Sequence, residues 1–190
     1  MPLAVRAAAD LGYPVALKIV SPDIIHKFDV GGVKLNLAGA DEIRRAYGEI
    51  LASVPQIHPG AAIQGMLVQK MVPKGRETIL GMTRDSHFGP LLMFGLGGTF
   101  VEVFRDVMFK LAPISEDWAL KMIQGLKGFR ILQSFRGDPP ADLAAIVASL
   151  ERLSQMVLDF AELKELDINP FMVFDEGKGA AVVDARIFIG

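Results

Sequence analysis

The 190-residue sequence contains no cysteine. That excludes a disulfide scaffold, a zinc–thiolate site and a thiol nucleophile. Charge of either sign is also scarce in excess: 20 Lys+Arg against 22 Asp+Glu leave a formal net charge of −2. No global basic field draws in nucleic acid, and only a local patch could bind it; no nucleic-acid partner is expected. No apolar run reaches the ~20 residues of a membrane span, because Gly, Lys or Asp interrupts the longest ones within about ten residues. The opening MPLAVRAAADLGYPVALK lacks a basic n-region, an apolar h-region and a small-residue cleavage site. No secretory signal is read there, and the cytoplasm is the expected compartment. What is present is a foldable composition, 51% hydrophobic and 22% charged, in a length that suits one domain or two small lobes.

Residues 3–11 are Ala-rich at helical spacing, with Gly12 as a natural C-cap and Pro14 as a stop. A chain that opens on the second half of a helix leads us to expect a segment upstream. Val15–Val20 reads as an apolar strand interrupted by one lysine, and Val33–Leu37 as a second strand. Asp41 is expected to cap a helix reaching about Ser53. Further strands are expected over 62–72, 77–83, 90–94 and 107–111, the first two separated by the turn Pro73-Lys74-Gly75. Ser115 should cap a helix to about Leu126, and Pro140 should open a longer one to about Phe160. Strands over 163–168 and 180–187 close the chain around a turn at 176–179. This mixed order predicts an α+β fold with largely antiparallel sheets, with a lobe boundary near Met71–Gly75.

Several residues could carry chemistry. Lys18 is either an edge lysine snorkelling to water or a cation aimed at phosphates. Gly31-Gly32 and Gly97-Gly98 are either ordinary turns or places where main-chain amides approach an anion. Neither a P-loop nor a dinucleotide fingerprint is present. His26 sits in a loop, where isolated histidines are commonly structural or solvated, and less often catalytic. His58 and His87 lie in polar loop and turn sequence and read as surface residues. Late in the chain, Glu165, Asp167 and Asn169 share one face of a strand by period-2 alternation. Asp184 lies on a strand that can pair beside them. Asn169 and Asp184 are hard oxygen donors suited to Mg²⁺ shared with phosphates; the alternative is a polar pair satisfied by main chain.

Taken together, several segments resemble one family. They are Lys18, the stretch from His26 to Asn36, Gln69–Val72, Gly81–Glu102 with its Phe-Gly-Leu-Gly-Gly-Thr-Phe-Val-Glu, Glu165–Pro170 and Val183–Arg186. In this order they are similar to the ATP-grasp domain of NDP-forming acyl-CoA synthetases, the ADP-forming acetyl-CoA synthetases related to the succinyl-CoA synthetase β subunit. The resemblance implies two α+β lobes that grip a nucleotide, here a small lobe over 1–72 and a large one over 73–190. It implies that Lys18 contacts phosphates and that the main chain of Gln69, Lys70, Met71 and Val72 reads the adenine edge. Glu77 takes the place of a ribose-binding acid. Asn169 and Asp184 take the metal-ligand positions. His26 takes the place of the phosphorylated carrier histidine, and Asp167 stands close enough to orient it or to support the metal. Phe28 departs from the family, which usually has serine there, and most of the family's upstream helical hairpin is absent from this sequence.

The function implied is the nucleotide half of an ADP-forming acyl-CoA synthetase, using Mg²⁺ and ATP/ADP. The expected partner is a CoA-binding α subunit or an upstream CoA-binding domain, which makes the protein a hetero-oligomer or part of a multidomain chain. The rivals are a catalytically silent ATP-grasp module of an acetyltransferase fusion, serving regulation or assembly, and a carboxylate–amine ligase of the wider ATP-grasp class. The apolar set Ile24, Ile25, Phe28 and Val30 in the histidine loop either docks the partner or packs into its own lobe.

Overall fold

Pro2 opens the first helix, α1 (Pro2–Leu11), where its missing N–H goes unnoticed. Gly12 closes it at φ 79°, its N–H donating to the Ala8 carbonyl at 3.1 Å. The computed structural model describes residues 1–24, 26–98, 105–134 and 137–190. Ile25 of the apolar loop set and Thr99–Glu102 of the glycine-rich segment fall outside them. The chain divides into two units, Met1–Val72 and Pro73–Gly190.

In the first unit, β1 (Val15–Val20) runs between β2 (Val33–Leu37) and β3 (Gly65–Lys70), antiparallel to both. Val15, Leu17 and Ile19 point to one face and pack on Ala8 of α1 and on Ile43, Ala46, Ile50 and Val54 of α2 (Ala40–Ile57). Each fully buried Val, Leu or Ile side chain among these contributes about 1.5–3 kcal/mol. Two expectations need correction here. Gly39 is the N-cap of α2, and Asp41 lies inside its first turn. The helix also runs on through Pro55 to Ile57, since a proline this close to the C-terminus forfeits a single hydrogen bond. The strand expected over 62–72 is confined to Gly65–Lys70; beyond it Met71 N–H donates to the Pro14 carbonyl at 3.2 Å.

The second unit is a six-stranded sheet covered on one face by helices. Its elements are β4 (Arg76–Asp85), β5 (Gly89–Leu96), β6 (Val107–Leu111), α3 (Glu116–Gln124), a 3₁₀ turn (Phe129–Ile131), α4 (Leu143–Asp159), β7 (Leu163–Val173), β8 (Ala180–Val182) and β9 (Ala185–Ile189). The strand order is β6-β5-β4-β7-β8, with β9 also on β7, and the pairings are antiparallel. Leu80, Met82, Leu92 and Phe94 form the core with Ile123 of α3 and with Ile146 and Leu150 of α4. The α+β architecture with antiparallel sheets is the one the element order implied.

The helix starts differ from expectation. Ser115 occupies the N-cap of α3 without a side-chain hydrogen bond. Pro140 lies before α4, whose cap is Asp142, accepting from Ala145 N–H at 2.9 Å. The strand expected over 180–187 is two strands, broken at Val183-Asp184. β7 does not stop at Ile168 but continues to Val173 through a register shift opposite Thr78–Leu80. Before the shift Leu166 and Ile168 face the core; after it, Phe171 and Val173 do. The bulge therefore reverses the parity of the strand.

Candidate functional site

His26 lies in the loop between β1 and β2, and it is exposed. Both ends of that loop are fixed. On one side, Asp23 accepts from the Ala62 N–H at 2.7 Å, and Ile24 is buried. On the other, Gly32 N–H donates to the Lys27 carbonyl at 2.8 Å and Gly31 N–H to Phe28 at 3.0 Å. These two bonds form a Schellman-type turn, with Gly31 at φ 67°. Gly32 then gives its carbonyl to Ile19 N–H at 2.8 Å. A Cβ on Gly32 would stand 2.6 Å from Ile19 Cγ2 and 3.0 Å from the Lys27 carbonyl, so only glycine fits. Val30 is buried, whereas Phe28 is 65% exposed. The apolar set thus splits: Ile24 and Val30 pack into their own unit, and Phe28 faces solvent.

Lys18 is not at an edge. It sits in the central strand, opposite Val33 and Leu67, and is only 6% exposed. Snorkelling along a sheet edge does not describe it. Gln69 and Lys70 are in β3 opposite Ala16 and Val15, while Met71 and Val72 follow the strand.

The other candidates belong to Pro73–Gly190. Glu77 is exposed on β4, and its carbonyl accepts from Gly97 N–H at 2.7 Å. A Cβ on Gly97 would fall 2.8 Å from the Glu77 carbonyl carbon, and one on Gly98 (φ 62°) 3.0 Å from Glu77 Oε2. The close approach that requires glycine here is to Glu77. Asp167 pairs with Gly81 on one side and Arg186 on the other. Asn169 N–H donates to the Asp184 carbonyl at 3.1 Å, and Val183 N–H to that of Pro170 at 3.1 Å. The register places Glu165, Asp167, Asn169, Asp184 and Arg186 on the face of the sheet opposite the helices.

Among the described residues no three His, Cys, Asp or Glu side chains lie close enough to form a metal cage. Asn169 and Asp184 offer two hard oxygen donors, both exposed. Such a pair fits Mg²⁺, which keeps most of its waters and shares its shell with phosphates. One residue escaped the sequence reading: Asp106, a buried carboxylate at the entry to β6. Its only signal was an aspartate leading directly into the apolar run Val107–Phe109.

The ATP-grasp domain family matches residues 2–189. The ADP-forming acetate–CoA ligase I of Archaeoglobus fulgidus is 51% identical over 96% of this chain, which spans 26% of that relative's length. The β subunit of ADP-forming acetate–CoA ligase I from Pyrococcus furiosus is 43% identical over 98% of this chain and 79% of its own. The dinucleotide-forming acetyl-coenzyme A synthetase 1 of Ca. Korarchaeum cryptofilum has been solved with coenzyme A, Ca-AMPCP and HgCl⁺. That structure matches with a TM-score of 0.94 at 48% identity, over all of this chain and 82% of its own. A second structure of that enzyme, with coenzyme A and Mg-AMPPCP, has its phosphohistidine segment pointing towards the nucleotide site. It matches with a TM-score of 0.83 at 44% identity, over 98% of this chain and 81% of its own. The chain belongs to the ATP-grasp family and, within it, to the branch formed by the ADP-forming acetate–CoA ligases.

Proposed function

We propose that this chain is the nucleotide half of an ADP-forming acyl-CoA synthetase, and that its own chemistry is phosphoryl transfer between His26 and ADP. A CoA-binding α subunit or domain first converts acyl-CoA and phosphate into acyl phosphate and CoA. The phosphoryl group then leaves the carboxylate for an imidazole nitrogen, directly or through a histidine of that partner. The P–O bond breaks as N–P forms, releasing the acid. A β-phosphate oxygen of ADP next attacks phosphorus, N–P breaks, and ATP leaves with His26 regenerated. A neutral imidazole is nucleophilic near pH 7, and the N–P bond stays reactive enough for the second transfer. With ADP and ATP as reactants, the reading places the chain in the cytoplasm; among the described residues no helix is long and apolar enough to cross a membrane.

The chain's residues divide the remaining work. Lys18 and the Gly98 amide hold phosphate oxygens. The main chain of Gln69, Lys70, Met71 and Val72 takes the adenine edge, and Glu77 the ribose. Asp167, on the same face of the sheet as Asn169, supports the metal or orients the phosphohistidine. Asn169 and Asp184 would hold Mg²⁺, which neutralises phosphate charge when bound.

The observation that carries the reading is the exposed His26 on a loop with both ends anchored. Such a loop presents a nucleophile without the rest of the unit having to move. The test is to incubate the complete enzyme with γ-labelled ATP and Mg²⁺. Acid-labile, base-stable label is expected in wild type and none in His26→Asn, while ADP binding survives. Equal label in both proteins, or none in an active wild-type complex, removes the carrier role and favours an amine-ligase or regulatory reading.

A further inference from the structure

Asp106 is 6% exposed, and its carboxylate is fully engaged with main chain. Oδ1 accepts from Lys127 N–H at 2.9 Å and Oδ2 from Gly128 N–H at 2.7 Å. Those amides lie in the turn between α3 and the 3₁₀ turn. The Asp106 carbonyl accepts in addition from Leu96 N–H at 3.3 Å. One residue thus joins the end of β5 to the α3 turn through both its side chain and its main chain. The surroundings are built tightly around it. A Cβ on Gly95 would stand 2.9 Å from the Asp106 carbonyl oxygen, and one on Gly128 would stand 2.4 Å from Leu96 Cδ1 and 3.1 Å from Asp106 Oδ2. The preceding Arg105 has φ 47°, a strained conformation that persists only where neighbours over-determine it. Across the sheet, Gly97 N–H is held by the Glu77 carbonyl at 2.7 Å. Leu96 and Gly97 are therefore held by consecutive amides, one to Asp106 and one to Glu77.

We propose that Asp106 is a positioning residue for the nucleotide's phosphates: by tying the end of β5 to the α3 turn it sets the place and direction of the Gly98 amide, the first after Gly97, whose own N–H is held by the Glu77 carbonyl. It touches no reacting atom. The proposal rests on the reading that this amide meets phosphate, and it goes beyond it by naming what aims it. A carboxylate suits the task because each oxygen accepts one of two adjacent, otherwise orphaned amides. An asparagine presents one N–H₂ to a donor, and the clamp opens on that side.

AMP and ADP separate this role from a merely structural one, because AMP lacks the β-phosphate. Calorimetry on the complete enzyme compares both nucleotides in wild type, Asp106→Asn, Gly128→Ala and Asp142→Ala. The last variant removes a comparable buried cap remote in sequence from the glycine segment. Asp106→Asn and Gly128→Ala are expected to weaken ADP by about tenfold or more while AMP stays within about twofold. Asp142→Ala is expected to lower the melting temperature and leave the ADP-to-AMP ratio unchanged. An unchanged ratio in folded Asp106→Asn, or an equal change in Asp142→Ala, overturns the proposal and leaves the parent reading standing. Should Asp106→Asn not fold, Gly128→Ala decides by the same criterion. A wild-type protein that binds AMP as tightly as ADP overturns the parent reading, and the proposal with it.

Discussion

Asn169 and Asp184 are joined by main chain alone: the N–H of the first donates to the carbonyl of the second at 3.1 Å. Neither side chain is needed for that bond, and both are exposed. Replacing them should therefore spare the sheet. Asp184→Ala is expected to weaken Mg²⁺-dependent ADP binding by at least about tenfold, or about 1.4 kcal/mol, with little change in thermal stability. Calorimetry with Mg²⁺ and with EDTA checks it. Equal ADP affinity under both conditions in wild type would sink the metal assignment.

The histidine loop offers a contrast between neighbours. Ile24 is buried and Phe28 is 65% exposed. Ile24→Ala should cost about 2–5 kcal/mol of stability, as large-to-small core changes do. Phe28→Ala should stay within about 0.5 kcal/mol. If the loop docks on the CoA-binding partner, Phe28→Ala will slow phosphorylation of His26 from that side while leaving labelling by ATP intact. Hydrogen exchange with the partner present reads the same surface; residues 26–32 unprotected in the complex would end the docking idea.

Gly32 is a backbone requirement. A Cβ there meets Ile19 Cγ2 at 2.6 Å and the Lys27 carbonyl at 3.0 Å. Gly32→Ala is expected to displace the His26 loop and reduce phosphohistidine formation by about tenfold or more, while ADP titrations stay near wild type. Loss of ADP affinity in step with labelling would mean that the loop is not a separable part.

Asp142 gives the second unit an acid-sensitive joint. The amides of Ala145 and then Gly179 hold its carboxyl below the ordinary aspartate range, and burial opposes them. A depressed carboxylate contributes fully above its unfolded pKa, near 3.9, and loses that contribution as pH falls through the lower folded value. Asp142→Ala should cost about 1 kcal/mol near pH 7. The gap to wild type should narrow in urea unfolding as pH drops below about 4; a gap that is constant down to pH 2 contradicts the assignment.

Short apolar runs bounded by turn residues were legible to the residue: Val15–Val20, Val33–Leu37 and Val107–Leu111 need no tertiary information. The misplacements have local causes. Pro55 and Pro140 look like helix punctuation, yet one is absorbed in a last turn and the other is outranked by the Asp142 cap. The Asn169-Pro170 pair looks like a strand end, yet a bulge in β7 opposite Thr78–Leu80 carries pairing past it. The acidic row was readable because alternation alone sets its face. Asp106 was not, since its partners Lys127 and Gly128 lie 21 and 22 residues away and leave no periodic trace.

In β7 the odd-numbered Asp167 and Asn169 face away from the helices, and the equally odd-numbered Phe171 and Val173 face into the core. One strand thereby serves two clients that strict alternation would force to compete for the same side. This makes chain length there a heritable constraint of its own. Deleting a single residue at 169–170 restores regular alternation, and then either the acidic row turns into the oil or Phe171 and Val173 turn into water. Substitutions along this strand can be tolerated one at a time, but a shift in the count cannot. Variation in this lineage should therefore accumulate as replacements across 163–173 and as length changes elsewhere, with the turn at 176–179 the nearest place to absorb them.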